Sequence, residues 1–305
     1  MLPRQKLVLE FWDRSRELRV NNVAYKNFIK KLFDLMLKSD INGEDITTNS
    51  LIKKKSIYAH IIAKEDGVIA GLEEFRFLNK GFKLSILKKD GDKIKKGDII
   101  AEINGSNKKM LSMERTSLNL LQRMSGIATL TNSLNKKLRH KIKIAATRKT
   151  LWGLLDKKAV SVGGGLTHRL SLNDGVIIKD NHLKIIGYDF KKAINSVKNK
   201  SRYIEIEVEN AKRALNAAKV IKNIVIKSKN RNSFVIMLDK IKPGEIKSVI
   251  KELKIQNLYK YMMLEASGNI TSKNIKEYSY CGVDVISMGS ITNSSKVLDM
   301  SLKVR

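Results

Sequence analysis

The sequence predicts an α/β protein in which an N-terminal α/β domain, built like an open β-sandwich, precedes a β/α barrel. Apolar, β-branched runs recur in the second half about every 22 to 32 residues, which is roughly the length of one β/α unit. These runs end near Arg148, Lys179, Glu207, Asp239, Ser267 and Gly289. Earlier, residues 56–103 form shorter alternating runs interrupted by glycines, a pattern typical of strands joined by tight turns.

Four segments follow from these patterns and from the family resemblance described below. They are a helical N-terminal extension over residues 1–30, an α/β sandwich domain over 31–130, a β/α barrel over 131–290, and a C-terminal helix over 291–305 that returns towards the N-terminal domain. Apolar residues at helical spacing predict the helices before Asp40. Removing the first 25 residues is expected to leave catalysis largely intact.

Composition excludes several classes of protein. The 305 residues are 42% hydrophobic and 30% charged, which are globular values, and no apolar run approaches the ~18 residues of a membrane span. The N-terminus has no secretory apolar region. The single cysteine, Cys281, excludes an intrachain disulfide and indicates a cytoplasmic protein, and four scattered histidines argue against a zinc site built by the protein.

The net charge of +30 would attract nucleic acid or an anionic membrane. However, the lysines are dispersed along the chain, and aromatic residues, at 6%, do not alternate with basic ones as in proteins that stack bases. The composition therefore favours a solvated, lysine-rich surface over a nucleic-acid site.

The richest stretch for chemistry runs from Ile142 to His182. Its two apolar runs each end in basic residues, Arg148–Lys149 and Lys179, and His168–Arg169 lies between them behind three glycines. Because parallel α/β folds place their chemistry at the carboxyl ends of strands, these cations are predicted to share one mouth suited to a polyanionic small substrate. The glycines are expected to allow close backbone approach at this site, although a flexible turn is the alternative.

Four motifs give this chain a resemblance to a known family. In order, ERTSLNLLQRMSGIATLT (Glu114–Thr131), ATRKT, VGGGLTHR and IKDNH resemble quinolinate phosphoribosyltransferase, the carboxylating nicotinate-nucleotide pyrophosphorylase. The likeness runs from about Leu32 to the C-terminus. It implies that the barrel is incomplete, that the chain is a pentosyltransferase of NAD biosynthesis, and that it forms a homodimer or a larger assembly.

The resemblance also implies a reaction and a set of site residues. Phosphoribosyl would pass from phosphoribosyl pyrophosphate to the ring nitrogen of quinolinate, with release of pyrophosphate and CO2. The implied substrate-binding residues are Arg115, Arg148, Lys149, His168, Arg169, Lys179, Glu207, Asp239, Ser267, Gly268, Gly289 and Ser290. The catalytic residues among them would be Lys149, Lys179, Glu207 and Asp239. Apolar spacing predicts a helix over Glu114–Thr131, with Arg115 at its start. By the resemblance, Arg115 would reach the neighbouring subunit's active site, although the sequence alone equally allows a surface ion pair.

The chemistry explains these residue types. Bidentate arginines suit a dicarboxylate, and carboxylates suit the positive charge that develops on the ribose. The 5-phosphate is expected at backbone N–H groups of Ser267–Gly268 and Gly289–Ser290, each before a helix whose N-terminus favours an anion. Mg2+ is expected to bind mainly through the pyrophosphate and water, with few protein ligands.

Several positions leave alternatives or depart from the family pattern. Alternation in IEIEVE places Glu205, Glu207 and Glu209 on one face. Because three adjacent acids would repel, one or two of them are expected to bind ligand, and the resemblance to the family motif selects Glu207. Lys240 stands where the family usually has asparagine, and Asn269 where it usually has a second glycine. Residues 223–233 are predicted to form an inserted basic surface loop.

Three other functions compete with the leading one. A nicotinate phosphoribosyltransferase and the paralogue associated with molybdenum transport share the fold, but three arginines with His168 suit a dicarboxylate better than nicotinate. A basic nucleic-acid-binding protein would leave Glu207 and Asp239 without a role.

Overall fold

The computed structural model describes residues 4–227 and 232–305, and the chain divides into two compact units. The parallel-sheet unit comprises the described residues of 4–14, 134–149 and 166–290. The antiparallel-sheet unit comprises residues 15–133, 150–165 and 291–305. This division differs from the predicted segments in two ways. The predicted N-terminal extension, residues 1–30, is shared between the two units, and residues 150–165 belong to the antiparallel-sheet unit.

Helices and strands follow one another along the whole described chain. The first ten elements are α1 (Arg4–Trp12), α2 (Val23–Ile41), α3 (Ile46–Leu51), β1 (Ser56–Ala63), β2 (Gly67–Val68), α4 (Leu72–Leu78), β3 (Lys83–Ile86), β4 (Lys93–Ile94), β5 (Ile99–Ser106) and α5 (Asn107–Lys137). The remaining elements are β6 (Lys143–Ala145), α6 (Leu154–Val162), β7 (Val176–Ile178), α7 (Asp180–Ile185), α8 (Phe190–Val197), β8 (Tyr203–Val208), α9 (Ala211–Lys227), β9 (Ser233–Asp239), α10 (Pro243–Ile255), β10 (Met263–Ser267), α11 (Ile275–Tyr278), β11 (Val285–Ser287), α12 (Ser290–Asn293) and β12 (Met300–Val304).

The antiparallel-sheet unit contains a four-stranded sheet in the order β12-β1-β5-β3 and a small pair, β2 with β4. Side-chain alternation explains this sheet, since Ala59, Ile61 and Ala63 of β1 are all buried at every second position. The turn predicted at Asp90–Gly91 uses a glycine with φ of +94°, which other residues rarely adopt. The predicted N-terminal α/β domain with a β-sheet is confirmed.

The C-terminal segment is a strand, so the helix predicted over residues 291–305 is wrong. After the single turn of α12, β12 pairs antiparallel with β1, with Ala59 opposite Val304 and Ala63 opposite Met300. The physical reason is that β1 otherwise presents an unpaired edge, and a short terminal segment satisfies its backbone groups better as a strand than as an isolated helix.

The parallel-sheet unit contains six parallel strands in the order β6-β11-β10-β9-β8-β7. The first two strands of this unit along the chain, β6 and β7, therefore lie at opposite edges, and among the described residues no ladder joins them. Each of the six predicted apolar runs supplies one strand. The α/β fold predicted for this half is confirmed, and the open order agrees with a barrel that is incomplete.

The predicted N-terminal extension contributes to the core. Trp12 is fully buried, and Val8 and Phe11 join it in one hydrophobic cluster with residues of the strands. The ring of Phe11 stacks on that of Tyr203 with 4.9 Å between centroids. Helix α1 is thus an integral part of the parallel-sheet unit. The sequence did not reveal this because packing between residues so distant along the chain leaves no local pattern.

The predicted inserted loop over residues 223–233 begins as helix and ends at the first residue of a strand. Its first five residues continue α9, because this stretch lacks a helix breaker and extends the amphipathic pattern of the helix. Residues 228–231 lie outside the described part of the chain, and Ser233 begins β9. Pro243 opens α10, as predicted for a first helical turn. Among the described helices, none is both long and apolar enough to cross a bilayer.

Candidate active site

Most of the predicted site residues lie at one edge of the parallel sheet, where its strands end. Arg148 and Lys149 follow β6, Lys179 follows β7, and Gly289 follows β11 at a distance of two residues. Glu207 is the penultimate residue of β8, while Asp239 and Ser267 are the last residues of β9 and β10. We call this set the outer layer. Because parallel strands all end at the same edge, the outer layer forms one mouth.

Contacts join the outer layer. The Lys179 Nζ lies 3.8 Å from a carboxylate oxygen of Glu207. Burial, followed by the neighbouring charge of Asp239, raises the pKa of Glu207, although Lys179 acts in the opposite direction. The side chains of Glu207 and Asp239 are 17% and 15% exposed, so both acids combine partial burial with access to solvent. They suit hydrogen bonding to hydroxyl groups and stabilisation of a nearby cation.

Two glycines of the outer layer are required by close contacts. A Cβ at Gly268, whose φ is +82°, would lie 2.5 Å from the backbone nitrogen of Lys240 and 2.7 Å from an Asp239 carboxylate oxygen. A Cβ at Gly289 would lie 2.9 Å from the Lys149 side chain. Any side chain at either position would therefore displace a predicted ligand-binding residue.

The expected helix N-termini behind the phosphate-binding residues do not support an anion site. Helix α11 begins at Ile275, seven residues after Gly268, and α12 is only four residues long. A distant or single-turn helix provides little macrodipole at these positions. The Ser267 carbonyl accepts from Lys240 N, and the Ser290 hydroxyl donates its one proton to the Ile270 carbonyl. Backbone N–H groups are therefore the candidates for phosphate binding at these positions.

Packing and backbone conformation explain the run of three glycines, Gly163–Gly165. A Cβ at Gly163 would lie 2.5 Å from the Ala128 carbonyl oxygen, and Gly164 has a φ of +85°. After this turn, Leu166 forms a parallel bridge with Ala145 of β6. The glycines thus let α6 pack tightly within the antiparallel-sheet unit and turn the chain towards His168. The structure gives no separate site role to them.

Arg169 and Arg148 form the cationic part of the mouth. The Arg169 side chain donates to the Gly175 carbonyl at 2.8 Å, but its Nε is buried and has no hydrogen-bond partner among the described residues. Burial and the nearby Arg148 both lower the pKa of Arg169. Arg148 itself is exposed. Two neighbouring guanidinium groups, one with an unused donor, create a strong demand for an anion.

His168 lies deeper than its predicted substrate role requires. Its side chain is buried, its Nδ1 accepts from Arg169 N, and its Nε2 lies 3.5 Å from Glu205 and 3.4 Å from Glu265. Both nitrogens are therefore occupied within the protein. The structure thus places His168 beneath the mouth, with both ring nitrogens directed at protein atoms, and Arg169 beside it.

Arg115 differs from the other predicted site residues because it belongs to the antiparallel-sheet unit. It was expected at the start of a helix, but α5 begins at Asn107, which places Arg115 in its third turn. Its side chain is exposed, and among the described residues it forms no hydrogen bond or ion pair. The surface ion pair that the sequence allowed is absent from the described residues.

Sequence reasoning missed most of the buried layer beneath the mouth. Glu205 and Glu265 are fully buried, and Trp12 Nε1 donates to Glu265, while the Tyr203 hydroxyl donates to Glu205 at 3.0 Å. Alternation along β8 placed Glu205 on the face of Glu207, whereas the sequence analysis did not single out Glu265, although an acid inside the apolar run of β10 was a signal for it. Nothing in the sequence connects Trp12 to either acid.

His182, which was left out of the catalytic set, serves the backbone. Its Nδ1 accepts from Lys179 N at 3.0 Å at the beginning of α7. This contact fixes the backbone that carries Lys179 and supports the structural interpretation of His182.

Comparisons with known proteins agree with these features. The family model for the C-terminal domain of quinolinate phosphoribosyl transferase matches residues 127–303, and that for its N-terminal domain matches residues 45–125. A probable carboxylating nicotinate-nucleotide pyrophosphorylase of Methanothermobacter thermautotrophicus is 40% identical over 281 residues, covering 88% of this chain and 96% of that protein. A protein of the same name from Methanocaldococcus jannaschii is 39% identical and covers 92% and 98%. The solved nicotinate-nucleotide pyrophosphorylase of Francisella tularensis matches with a TM-score of 0.78 and 31% identity, covering 92% of this chain and 96% of that one.

Proposed function

The chain belongs to the quinolinate phosphoribosyltransferase family, and from this premise we propose that it makes nicotinate mononucleotide from quinolinate and phosphoribosyl pyrophosphate, releasing pyrophosphate and CO2. The observation that carries the proposal is the outer layer itself. It contributes Arg148, which neighbours Arg169 and its unused buried donor, and the largely buried carboxylates of Glu207 and Asp239. The two arginines are complementary to a dicarboxylate, and the two carboxylates are complementary to the hydroxyl groups of a ribose.

Quinolinate would bind at the cations. Arg148 and Arg169 offer several N–H donors in fixed planes, which suits bidentate contact with carboxylates. Lys149, held against Gly289, adds a further positive charge. Negative substrate carboxylates would relieve the repulsion between the two arginines, and this relief supports binding of a dianion rather than a neutral ring.

The ribose would lie beside Glu207 and Asp239. Departure of pyrophosphate leaves positive charge on the ribose carbon, and carboxylates already held next to that position stabilise it without reorganisation. Lys179, whose side chain is 50% exposed, can approach both Glu207 and a bound anion. Backbone N–H groups at Gly268, Gly289 and Ser290 would bind the 5-phosphate.

Release of CO2 leaves an electron pair on the ring carbon. The adjacent positively charged pyridinium nitrogen, formed by the transfer, stabilises this electron pair electrostatically, and a proton taken from water then forms the C–H bond of nicotinate mononucleotide. Lys149 and Lys179 would hold the ring in place and keep positive charge near it.

Mg2+ would enter with the pyrophosphate. Glu207 and Asp239 offer the accessible carboxylate oxygens that Mg2+ prefers, and a hydrated ion needs only one or two of them. When bound, the ion neutralises charge on the leaving group. The buried group of His168, Glu205 and Glu265 fits it less well, since Mg2+ keeps several waters and favours oxygen ligands.

A homodimer or larger assembly in the cytoplasm completes the proposal. Arg115 is exposed and lacks a partner among the described residues, which supports a role at the active site of a second subunit. The single cysteine suits a reducing compartment.

A product assay tests the function directly. The purified protein receives phosphoribosyl pyrophosphate, Mg2+ and carboxyl-labelled quinolinate, and a parallel reaction receives nicotinate. We expect mononucleotide and labelled CO2 in equal amounts from quinolinate and no product from nicotinate. Turnover of nicotinate alone would contradict the assignment of the second carboxylate, and inactivity with both substrates would contradict the function.

A further inference from the structure

A second layer of charged residues lies one step inside the outer layer. Glu205 is two residues before Glu207 on β8, and Glu265 is two residues before Ser267 on β10, so both point to the same side as the outer layer. We call these two acids the inner carboxyl pair. Neither side chain reaches solvent, and His168 Nε2 lies within 3.5 Å of an oxygen of each.

The inner carboxyl pair has few hydrogen-bond donors. Tyr203 donates to Glu205, Trp12 donates to Glu265, and the second oxygen of each acid has no partner among the described residues. Burial, together with the neighbouring Glu265, raises the pKa of Glu205 well above its ordinary value. Two adjacent buried acids have little water to share their charge, so the pair depends on each hydrogen-bond donor that it has.

The cluster connects helix α1 to the mouth. The Trp12 carbonyl accepts from His168 N at 2.8 Å, and Trp12 Nε1 donates to the acid that His168 Nε2 faces. His168 has a left-handed backbone with φ of +55°, and its Nδ1 accepts from Arg169 N at 2.8 Å. Trp12 therefore constrains both the backbone and the ring of the residue that immediately precedes Arg169.

We propose that Trp12 and the inner carboxyl pair are positioning residues, which hold His168 and through it set Arg169 for binding the carboxylates of the substrate. The proposal rests on the proposed function for the identity of that substrate. It gives the N-terminal helix a part in substrate binding, although no residue of α1 belongs to the outer layer.

A metal ion is the main competing occupant. His168, Glu205 and Glu265 have ligand atoms within 4.8 Å of one another. However, Trp12 and Tyr203 direct their protons at the same two oxygens that face His168. An ion bound there would have to compete with those donors, so the contacts favour a hydrogen-bonded cluster over a metal site.

The test compares two substitutions in α1. Trp12→Phe keeps a buried aromatic ring but removes the Nε1 donor. Phe11→Leu removes the ring that stacks on Tyr203 without touching a polar group. For the full-length chain, we expect Trp12→Phe to raise the KM for quinolinate about tenfold, equivalent to about 1.4 kcal/mol, and to leave the KM for phosphoribosyl pyrophosphate unchanged. Phe11→Leu should lower Tm at least as much without this selective change.

A second readout does not depend on the reaction. In protein labelled with 15N-histidine, NMR should show His168 protonated at Nε2 and not at Nδ1, and this signal should change in Trp12→Phe but not in Phe11→Leu. Such a result in a protein inactive on quinolinate would support the cluster while refuting the proposed function. The positioning role would be overturned by equal KM changes for both substrates, by an unchanged His168 signal in Trp12→Phe, or by a stoichiometric metal ion that Glu265→Gln removes.

Discussion

The outer layer and the inner carboxyl pair place the same kind of side chain in opposite environments. At the strand ends, Lys179 and Glu207 remain 50% and 17% exposed, so water and ligands can share their charges. Two residues deeper, Glu205 and Glu265 have no exposure and depend on Trp12, Tyr203 and His168. Polar residues at the edge of a sheet are thus available to bind ligands, while those below it are committed to one another.

This difference separates two kinds of mutational effect. Removing a charge from the outer layer should reduce activity while leaving stability unchanged, because no buried partner is left behind. Removing the surroundings of the inner pair should affect folding first, because a buried carboxyl that loses its partner costs about 1 to 3 kcal/mol or more.

The largest expected effect comes from removing residues 1–14, which contain α1. The deletion removes the buried Val8, Phe11 and Trp12, and truncating one large aromatic residue typically costs about 3 to 5 kcal/mol. The sum is comparable to the whole stability of a typical domain, about 5 to 15 kcal/mol. We expect no cooperative thermal transition from the parallel-sheet unit in calorimetry. This outcome replaces the sequence-based expectation that catalysis survives loss of the first 25 residues.

A surface position on the same helix provides the control. Leu9 is 48% exposed, so Leu9→Ala should leave Tm nearly unchanged. A shortened chain that melts at the temperature of the intact chain would show that α1 is dispensable to the core, and the contrast between the two layers would fail.

Arg148→Ala should have the next largest effect, and it concerns the outer layer only. Loss of this contact to a substrate carboxylate should lower kcat/KM about 100- to 1,000-fold, equivalent to about 3 to 4 kcal/mol. Because Arg148 is exposed, Tm should not change. Lys143→Ala, an exposed cation at the amino end of the same strand, should leave both quantities unchanged. Near-normal turnover of Arg148→Ala would remove it from the site.

The comparison also explains what could be predicted from the sequence. Most strand ends are marked in the sequence by an apolar run that stops at a charged residue. The parallel strands and most of the outer layer could therefore be predicted from the sequence. The inner pair was partly visible, because Glu205 shares a face with Glu207. Its partner Trp12 was not, since 156 residues separate it from His168 and no periodicity reports such a contact.

Two other failures have similar causes. Strand β12 depends on the open edge of β1, which is a tertiary requirement that a five-residue segment does not display. The start of α5 was placed too late because Asn107 begins a helix without an apolar repeat to announce it. The two positions at which this chain departs from the family pattern, Lys240 and Asn269, both have left-handed backbone conformations, with φ of +58° and +55° respectively.

A mixing experiment would test whether Arg115 acts together with the outer layer of a second subunit. If Arg115 acts across a dimer, Arg115→Ala and Arg148→Ala subunits together form one intact site in each heterodimer. Random exchange makes about half of the dimers mixed, so activity should return to roughly a quarter of the wild-type value. Each variant alone remains nearly inactive. Absence of recovery in demonstrated heterodimers would place Arg115 in the site of its own subunit.

The smallest predicted effect concerns the backbone that shapes the mouth after β10. Asn269 has a φ of +55° and an exposed side chain, and asparagine tolerates this conformation better than most residues. Asn269→Gly should therefore change the free energy of unfolding by less than about 0.5 kcal/mol, because relief at the backbone is offset by greater freedom of the unfolded chain. Asn269→Val should lose about 1 to 2 kcal/mol, since a β-branched residue is poorly accommodated there. Chemical denaturation of the two variants measures the difference. Equal stability of Asn269→Gly and Asn269→Val would mean that the turn at residue 269 changes conformation at no cost in free energy. The left-handed backbone at this position would then not be needed to hold the outer layer.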